Sequence, residues 1–163
     1  MADSLFKVGV LGATGFIGSP YRAEIRECKE AEIVALCARR QDLLAKAARE
    51  DQAKVATQDW REVVEHPDVN LVIVGTPDAL HHEAVVACAA QGKHLLCEKP
   101  VGMNAAEAEE MWGLYRDAQP ALAHFVPFWT RMVGVFEIAK DIVGSGELGE
   151  IVSTVFRWQN PRP

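Results

Sequence analysis

Six short apolar segments, separated by helix-like stretches, constrain this 163-residue chain more than any other feature. They are Leu5–Leu11, Glu32–Cys37, Lys54–Thr57, Asn70–Val74, His94–Cys97 and Ala121–Phe125. Runs such as Leu71-Val72-Ile73-Val74 are apolar at every position, which suits a strand covered on both faces and not a half-solvated one. Helical stretches are read over residues 16–30, 41–50, from Asp59, over 81–91 and over 104–117. Asp59-Trp60-Arg61-Glu62 and Asn104-Ala105-Ala106-Glu107 read as capping boxes, and Gly92 as a stop. Strands joined by right-handed helical crossovers form a doubly wound parallel sheet. The fold expected over residues 1–125 is therefore α/β.

The tail follows a different pattern. Met132–Val143 reads as an amphipathic helix ended by Gly144-Ser145-Gly146. Glu150–Trp158 alternates like a strand with one solvated face. A lone strand is not stable. Residues 126–163 are thus expected to be a linker helix and the first strand of a truncated α/β domain for substrate or oligomer contacts. Its unpaired edge and apolar face predict a homo-oligomer.

Apolar residues make up 49% of the chain, enough for a sizeable core. The formal net charge of −6 argues against nucleic acid or an anionic membrane as partner. It permits a phosphate ligand, which local backbone amides can hold. No apolar run reaches membrane-spanning length, and the N-terminus, with Asp3, reads as the approach to a strand and not as a signal peptide. Cys28, Cys37, Cys88 and Cys97 show neither a C-x-x-C pair nor metal-ligand spacing, so no metal and a reduced, cytoplasmic setting are expected.

In such a sheet, ligands bind at the carboxyl ends of the strands, and four strands end in chemically distinctive residues. The first leads into Gly12-Ala13-Thr14-Gly15-Phe16-Ile17-Gly18, where glycines permit a tight turn and close approach to a pyrophosphate. The second ends in Cys37-Ala38-Arg39-Arg40. No carboxylate follows until Asp42, and two arginines suit a 2′-phosphate, which favours NADP over NAD. The fourth ends in Thr76-Pro77-Asp78, with His81 one turn into the next helix, where a histidine more often caps or packs than catalyses. The fifth ends in Glu98-Lys99-Pro100, whose proline cannot continue the ladder and turns Lys99 onto the rim. His124 stands near the same rim with its role open, and Trp60 is expected to pack its helix on the sheet.

These residues resemble the Gfo/Idh/MocA oxidoreductases, the family of glucose–fructose oxidoreductase and inositol dehydrogenase. The resemblance runs through residues 8–18, Trp60, residues 68–77, His81, residues 92–100 and residues 144–151. It implies a Rossmann domain that binds NAD(P), followed by a second domain with a large open sheet. It also implies hydride transfer to or from a hydroxyl or carbonyl of a sugar or cyclic polyol. Carried onto this chain, Lys99 would be the catalytic lysine beside the nicotinamide, and Glu98 would bind the nicotinamide ribose or orient Lys99. The expected cofactor contacts are Gly12, Ala13, Thr14, Gly15, Phe16, Ile17, Gly18, Cys37, Arg39, Arg40, Thr76, Pro77, His81, Glu98 and Lys99.

Two departures accompany the resemblance. The glycine spacing, G-x-x-G-x-x-G, is similar to that of extended short-chain dehydrogenases. Those need a Tyr-x-x-x-Lys pair, whereas Tyr21 and Tyr115 are followed at that spacing by Ile25 and Gln119. The family's catalytic Asp and His are implied in the second domain beyond residue 163, so the chain is expected to bind nucleotide and to turn over poorly or not at all. A non-catalytic NAD(P)-binding regulatory or scaffold module remains the alternative. Size-exclusion chromatography with light scattering is expected to show self-association; a soluble monomer would count against it.

Overall fold

The structure, a computed structural model, describes residues 5–157 and 159. Asp3, Trp158 and residues 161–163, which entered the reading above, lie outside the described residues. The chain divides into two compact units, Met1–Pro127 and Phe128–Pro163.

The first unit is a six-stranded parallel sheet. In chain order its elements are β1 (Phe6–Leu11), α1 (Gly18–Glu27), β2 (Ala31–Cys37), α2 (Gln41–Asp51), β3 (Val55–Thr57), α3 (Trp60–Glu65), β4 (Leu71–Val74), α4 (His81–Ala90), β5 (His94–Cys97), α5 (Ala105–Arg116) and β6 (His124–Phe125). The spatial order is β3-β2-β1-β4-β5-β6, with every pairing parallel. Strand order reverses between β1 and β4, so successive crossovers put their helices on opposite faces. Leu44 and Ala47 of α2 and Tyr21 and Ile25 of α1 pack with Val8, Val10 and Ile73 on one face. Residues of α3, α4 and α5, including Val63, Val85 and Met111, pack with Leu11, Val72 and Val74 on the other. The doubly wound α/β sheet is the one expected.

Element ends shift for local reasons. α1 begins at Gly18 and not at Phe16, because residues 12–17 are taken up by the glycine loop. Pro20 sits in its first turn, where no intrahelical N–H is needed. Asp59 caps α3 by accepting from Arg61 N at 3.0 Å, but its own N–H goes to Thr57 Oγ1 and not to Glu62. At α5, Asn104 Oδ1 accepts from Glu107 N at 3.0 Å, and the Glu107 carboxylate accepts in return from Asn104 Nδ2 and Met103 N. β6 keeps two residues of the five expected.

One ionic clamp joins the two helices of the first face. Arg22 of α1 is buried and pairs with Asp51 and Glu50 of α2, and Arg26 also meets Asp51, whose side chain is fully buried.

The second unit contains a 3₁₀ turn (Trp129–Met132) and α6 (Gly134–Gly144). The strand expected over residues 150–158 is corrected: residues 151–157 form none. Alternation supplies a strand's two faces but not its hydrogen-bond partner, and no neighbouring strand pairs here. Residues 151–157 therefore offer no strand edge for self-association.

Asp51→Ala leaves Arg22 buried without its main partner and is expected to cost about 3 kcal/mol. Urea unfolding checks this, and a loss under about 1 kcal/mol would show that the clamp is solvated.

Candidate functional site

The carboxyl ends of β1 and β4 flank the point where strand order reverses, the usual ligand crevice of such a sheet. Gly12 leaves β1 at φ +78°, a left-handed conformation. Its N–H and that of Ala13 both donate to Cys37 O at 3.0 Å, which fastens the loop to the end of β2. A Cβ on Gly12 would lie 2.4 Å from Gly75 O, and one on Gly18 would lie 2.2 Å from Gly12 O. The loop therefore folds against itself and against the β4 turn at distances that leave no room for a Cβ at Gly12 or Gly18. Gly15 N donates to Gly12 O at 2.9 Å, whereas the amides of Thr14, Phe16, Ile17 and Gly18 find no acceptor among the described residues. Free amides at the positive end of α1 are what a pyrophosphate requires. Ala13 is buried beneath the loop, while the Phe16 ring stands 93% exposed.

The β4 turn adds an unusual group. Thr76 Oγ1 is buried and has no hydrogen-bond partner among the described residues. Buried hydroxyls are normally satisfied, so an orphan beside a glycine cradle suits the polar atom of a ligand. The residues present therefore fit a dinucleotide.

The β5 turn is held from three directions. Glu98 N donates to Val74 O at 3.0 Å. Glu98 is only 9% exposed; Oε1 accepts from Tyr21 Oη–H at 2.8 Å and Oε2 from Lys99 N at 3.1 Å. Beyond the cis Lys99–Pro100 bond, Pro100 O lies 3.0 Å from His81 Nδ1. Lys99 itself is exposed, and its ammonium has no partner among the described residues.

His81 corrects an expectation. Its ring is 0% exposed and bridges two carbonyls, with Nε2 2.9 Å from Thr76 O and Nδ1 on Pro100 O. It lies beneath the rim and ties the β4 and β5 turns together, with no surface left to touch a cofactor. The Cys37 thiol is likewise buried, and what it offers the site is its backbone carbonyl.

At the end of β2, Arg39 and Arg40 are both exposed. Arg40 pairs with Asp42 at 2.8 Å and, chiefly through that hydrogen bond, holds the Asp42 carboxyl below its usual range. Both partners are solvated, so the pair is weak and leaves Arg40 open to a stronger anion. The Arg39 guanidinium has no partner among the described residues. Pro77 is exposed ahead of a 3₁₀ turn, Asp78–Leu80. His124 is exposed, with its ring 5.3 Å from that of Tyr115. Trp60 packs on the core beneath the Arg61 guanidinium.

Tyr21, which no local motif marks, enters the site through its hydroxyl's bond to Glu98. In the sequence it stands out only through the absence of a lysine four residues on. Its spacing with Ile25 marks the inner face of α1, but its partner Glu98 is 77 residues away. Burial and the Glu98 carboxylate raise the phenol's pKa well above its usual value. Among the described residues no group of three or more His, Cys, Asp or Glu is placed to hold a metal ion, and no helix is long and apolar enough to cross a membrane.

Residues 6–124 match the Gfo/Idh/MocA family, described as an oxidoreductase family with an NAD-binding Rossmann fold. A levoglucosan dehydrogenase of Pseudarthrobacter phenanthrenivorans is 35% identical over 69% of this chain and 28% of its own. A myo-inositol 2-dehydrogenase of Thermotoga maritima is 31% identical over 88% of this chain and 42% of its own. A solved levoglucosan dehydrogenase in complex with NADH and levoglucosan superposes with a TM-score of 0.75 at 30% identity, over 88% of this chain and 40% of that one. The chain spans well under half the length of these relatives. It belongs to the Gfo/Idh/MocA oxidoreductase family.

The three buried thiols make a testable statement about pH. Desolvation, reinforced by nearby Asp59 and Glu62, pushes Cys37 from 9.0 up to about 11. Desolvation likewise pushes Cys88 and Cys97 up to about 12. Folded values above the unfolded one mean that this contribution to stability is intact below pH 9 and lost as pH rises from 9 towards 12. Urea midpoints are expected to fall across that window. At pH 8 a thiol reagent should label exposed Cys28 rapidly, and rapid labelling of a second cysteine would contradict the burial.

Proposed function

We propose that this Gfo/Idh/MocA chain binds NADP, or NAD, along the rim of its sheet and brings Lys99 to hydride transfer at a hydroxyl or carbonyl of a sugar or cyclic polyol. The carrying observation is Lys99 itself, an exposed ammonium without a partner among the described residues, on a turn pinned from three sides. A loop whose Gly12 and Gly18 have no room for a Cβ stands on the same rim.

The amides of residues 14 and 16–18 would hold the pyrophosphate, Thr76 and Pro77 would border the nicotinamide half, and Arg39 and Arg40 would receive a 2′-phosphate. When bound, the cofactor supplies or accepts the hydride. The Lys99 ammonium polarises the reacting oxygen; for an alcohol it lowers the hydroxyl pKa and eases departure of the proton. Glu98 and His81 act on Lys99 by fixing the turn that carries it. The sugar and polyol substrates in the relatives' names support that substrate class for this chain.

The same reading assigns dinucleotide binding to residues 1–125. It assigns a linker and the start of a substrate or oligomerisation domain to residues 126–163, in a cytoplasmic homo-oligomer. The resemblance implies a proton-transferring Asp and His in that second domain, and cofactor binding is the activity proposed for residues 1–125.

Fluorescence titration tests the cofactor assignment. NADPH is expected to bind about tenfold more tightly than NADH, and Arg39→Ala with Arg40→Ala should erase the difference. Equal affinity would remove the NADP preference, and no binding of either would remove the reading. Any polyol turnover should fall at least about 100-fold in Lys99→Met, a larger loss than any in NADPH affinity.

A further inference from the structure

We infer that Tyr21 is a positioning residue that ties the helix behind the glycine loop to the turn carrying Lys99. The inference rests on the cofactor reading above. Tyr21 leaves α1 one turn after Gly18, on the face that packs against the sheet, and its ring is partly buried in that core. Its hydroxyl donates 2.8 Å to Glu98 Oε1, across the crevice where strand order reverses. The other Glu98 oxygen holds the Lys99 amide.

A nearly buried carboxylate needs its lone pairs satisfied, and Glu98 has two protein donors with which to do it. Removing the phenol hydroxyl leaves Oε1 without a donor, so the carboxylate can rotate towards other donors and release the Lys99 amide. The arrangement is directional. α1 presents its N-terminus at the pyrophosphate cradle and Tyr21 at the nicotinamide end of the rim. One rigid helix thereby registers the two halves of a dinucleotide against each other. Pro100 O is held separately by His81, so loss of Tyr21 loosens one side of the turn and leaves the other in place.

Tyr21→Phe keeps the ring and deletes only the donor, and Glu98→Gln perturbs the same bond from the other side. In the isotopically labelled full chain, each variant is expected to shift the Lys99 amide resonance and speed its hydrogen exchange. The double variant should give less than the sum, as two partners in one bond require. Wild-type exchange at Lys99 in Tyr21→Phe would overturn the inference, and this measurement needs no cofactor. A ligand pair supplies the second readout. NADPH affinity should fall about fivefold in Tyr21→Phe, while that of 2′-phospho-ADP-ribose, which lacks the nicotinamide, stays within about twofold. An equal loss for both ligands, or for neither, would overturn the positioning role. Failure of the wild-type chain to bind either would sink the cofactor reading and leave the exchange measurement to judge Tyr21.

Discussion

The rest of this molecule depends on the near-contact of two backbone turns. Gly12 and Gly75, at the ends of β1 and β4, approach so closely that a single methyl group on Gly12 would overlap a carbonyl oxygen. Neighbouring parallel strands can diverge where strand order reverses, because their outgoing connections leave in opposite directions. Here the lack of side chains keeps the two turns together, and Gly12 reaches the required backbone conformation at no steric cost. The floor of the crevice is therefore main chain. It presents amides and one orphan threonine hydroxyl in place of apolar side chains.

Around that floor, polar side chains act mainly on one another. Tyr21 holds Glu98, Glu98 holds the Lys99 amide, and His81 holds both the Thr76 and Pro100 carbonyls. Each contact is modest alone, and a neutral His81 ring has one N–H to donate to its two carbonyls. Together these contacts constrain a short turn whose one exposed charge is Lys99. Satisfying buried groups internally and leaving one cation outward separates the task of holding the turn from that of meeting a ligand. Arg22 performs a comparable service further back, where it locks α1 to α2 and so keeps the helix behind the glycine loop from shifting.

Much of this was legible in order of residues. Strands β1, β2, β4 and β5 announce themselves as mostly apolar runs, and Gly12–Gly18 and Glu98-Lys99-Pro100 stand where strands must end. The strand expected after Glu150 was not legible, because alternation describes the faces of a strand and is silent about its neighbour. His81 was visible as a histidine near the rim. Its burial was not, since that follows from two turns closing over it from strands that are neighbours only in space. Tyr21 was visible too, but its partner is 77 residues distant, and no local pattern links them.

Local sequence by itself determined the alternation of elements, the glycine loop and the strand ends that carry Arg39, Arg40, Thr76 and Lys99. Backbone freedom, hydrophobic periodicity and ring closure at proline act within a few residues of where they are encoded. Only the tertiary structure decided that Glu98 faces Tyr21, that His81 is buried as a brace, and that Lys99 is left without a partner among the described residues. Those outcomes depend on which strands lie side by side, and adjacency in a sheet is set by packing of the whole core and by no single segment.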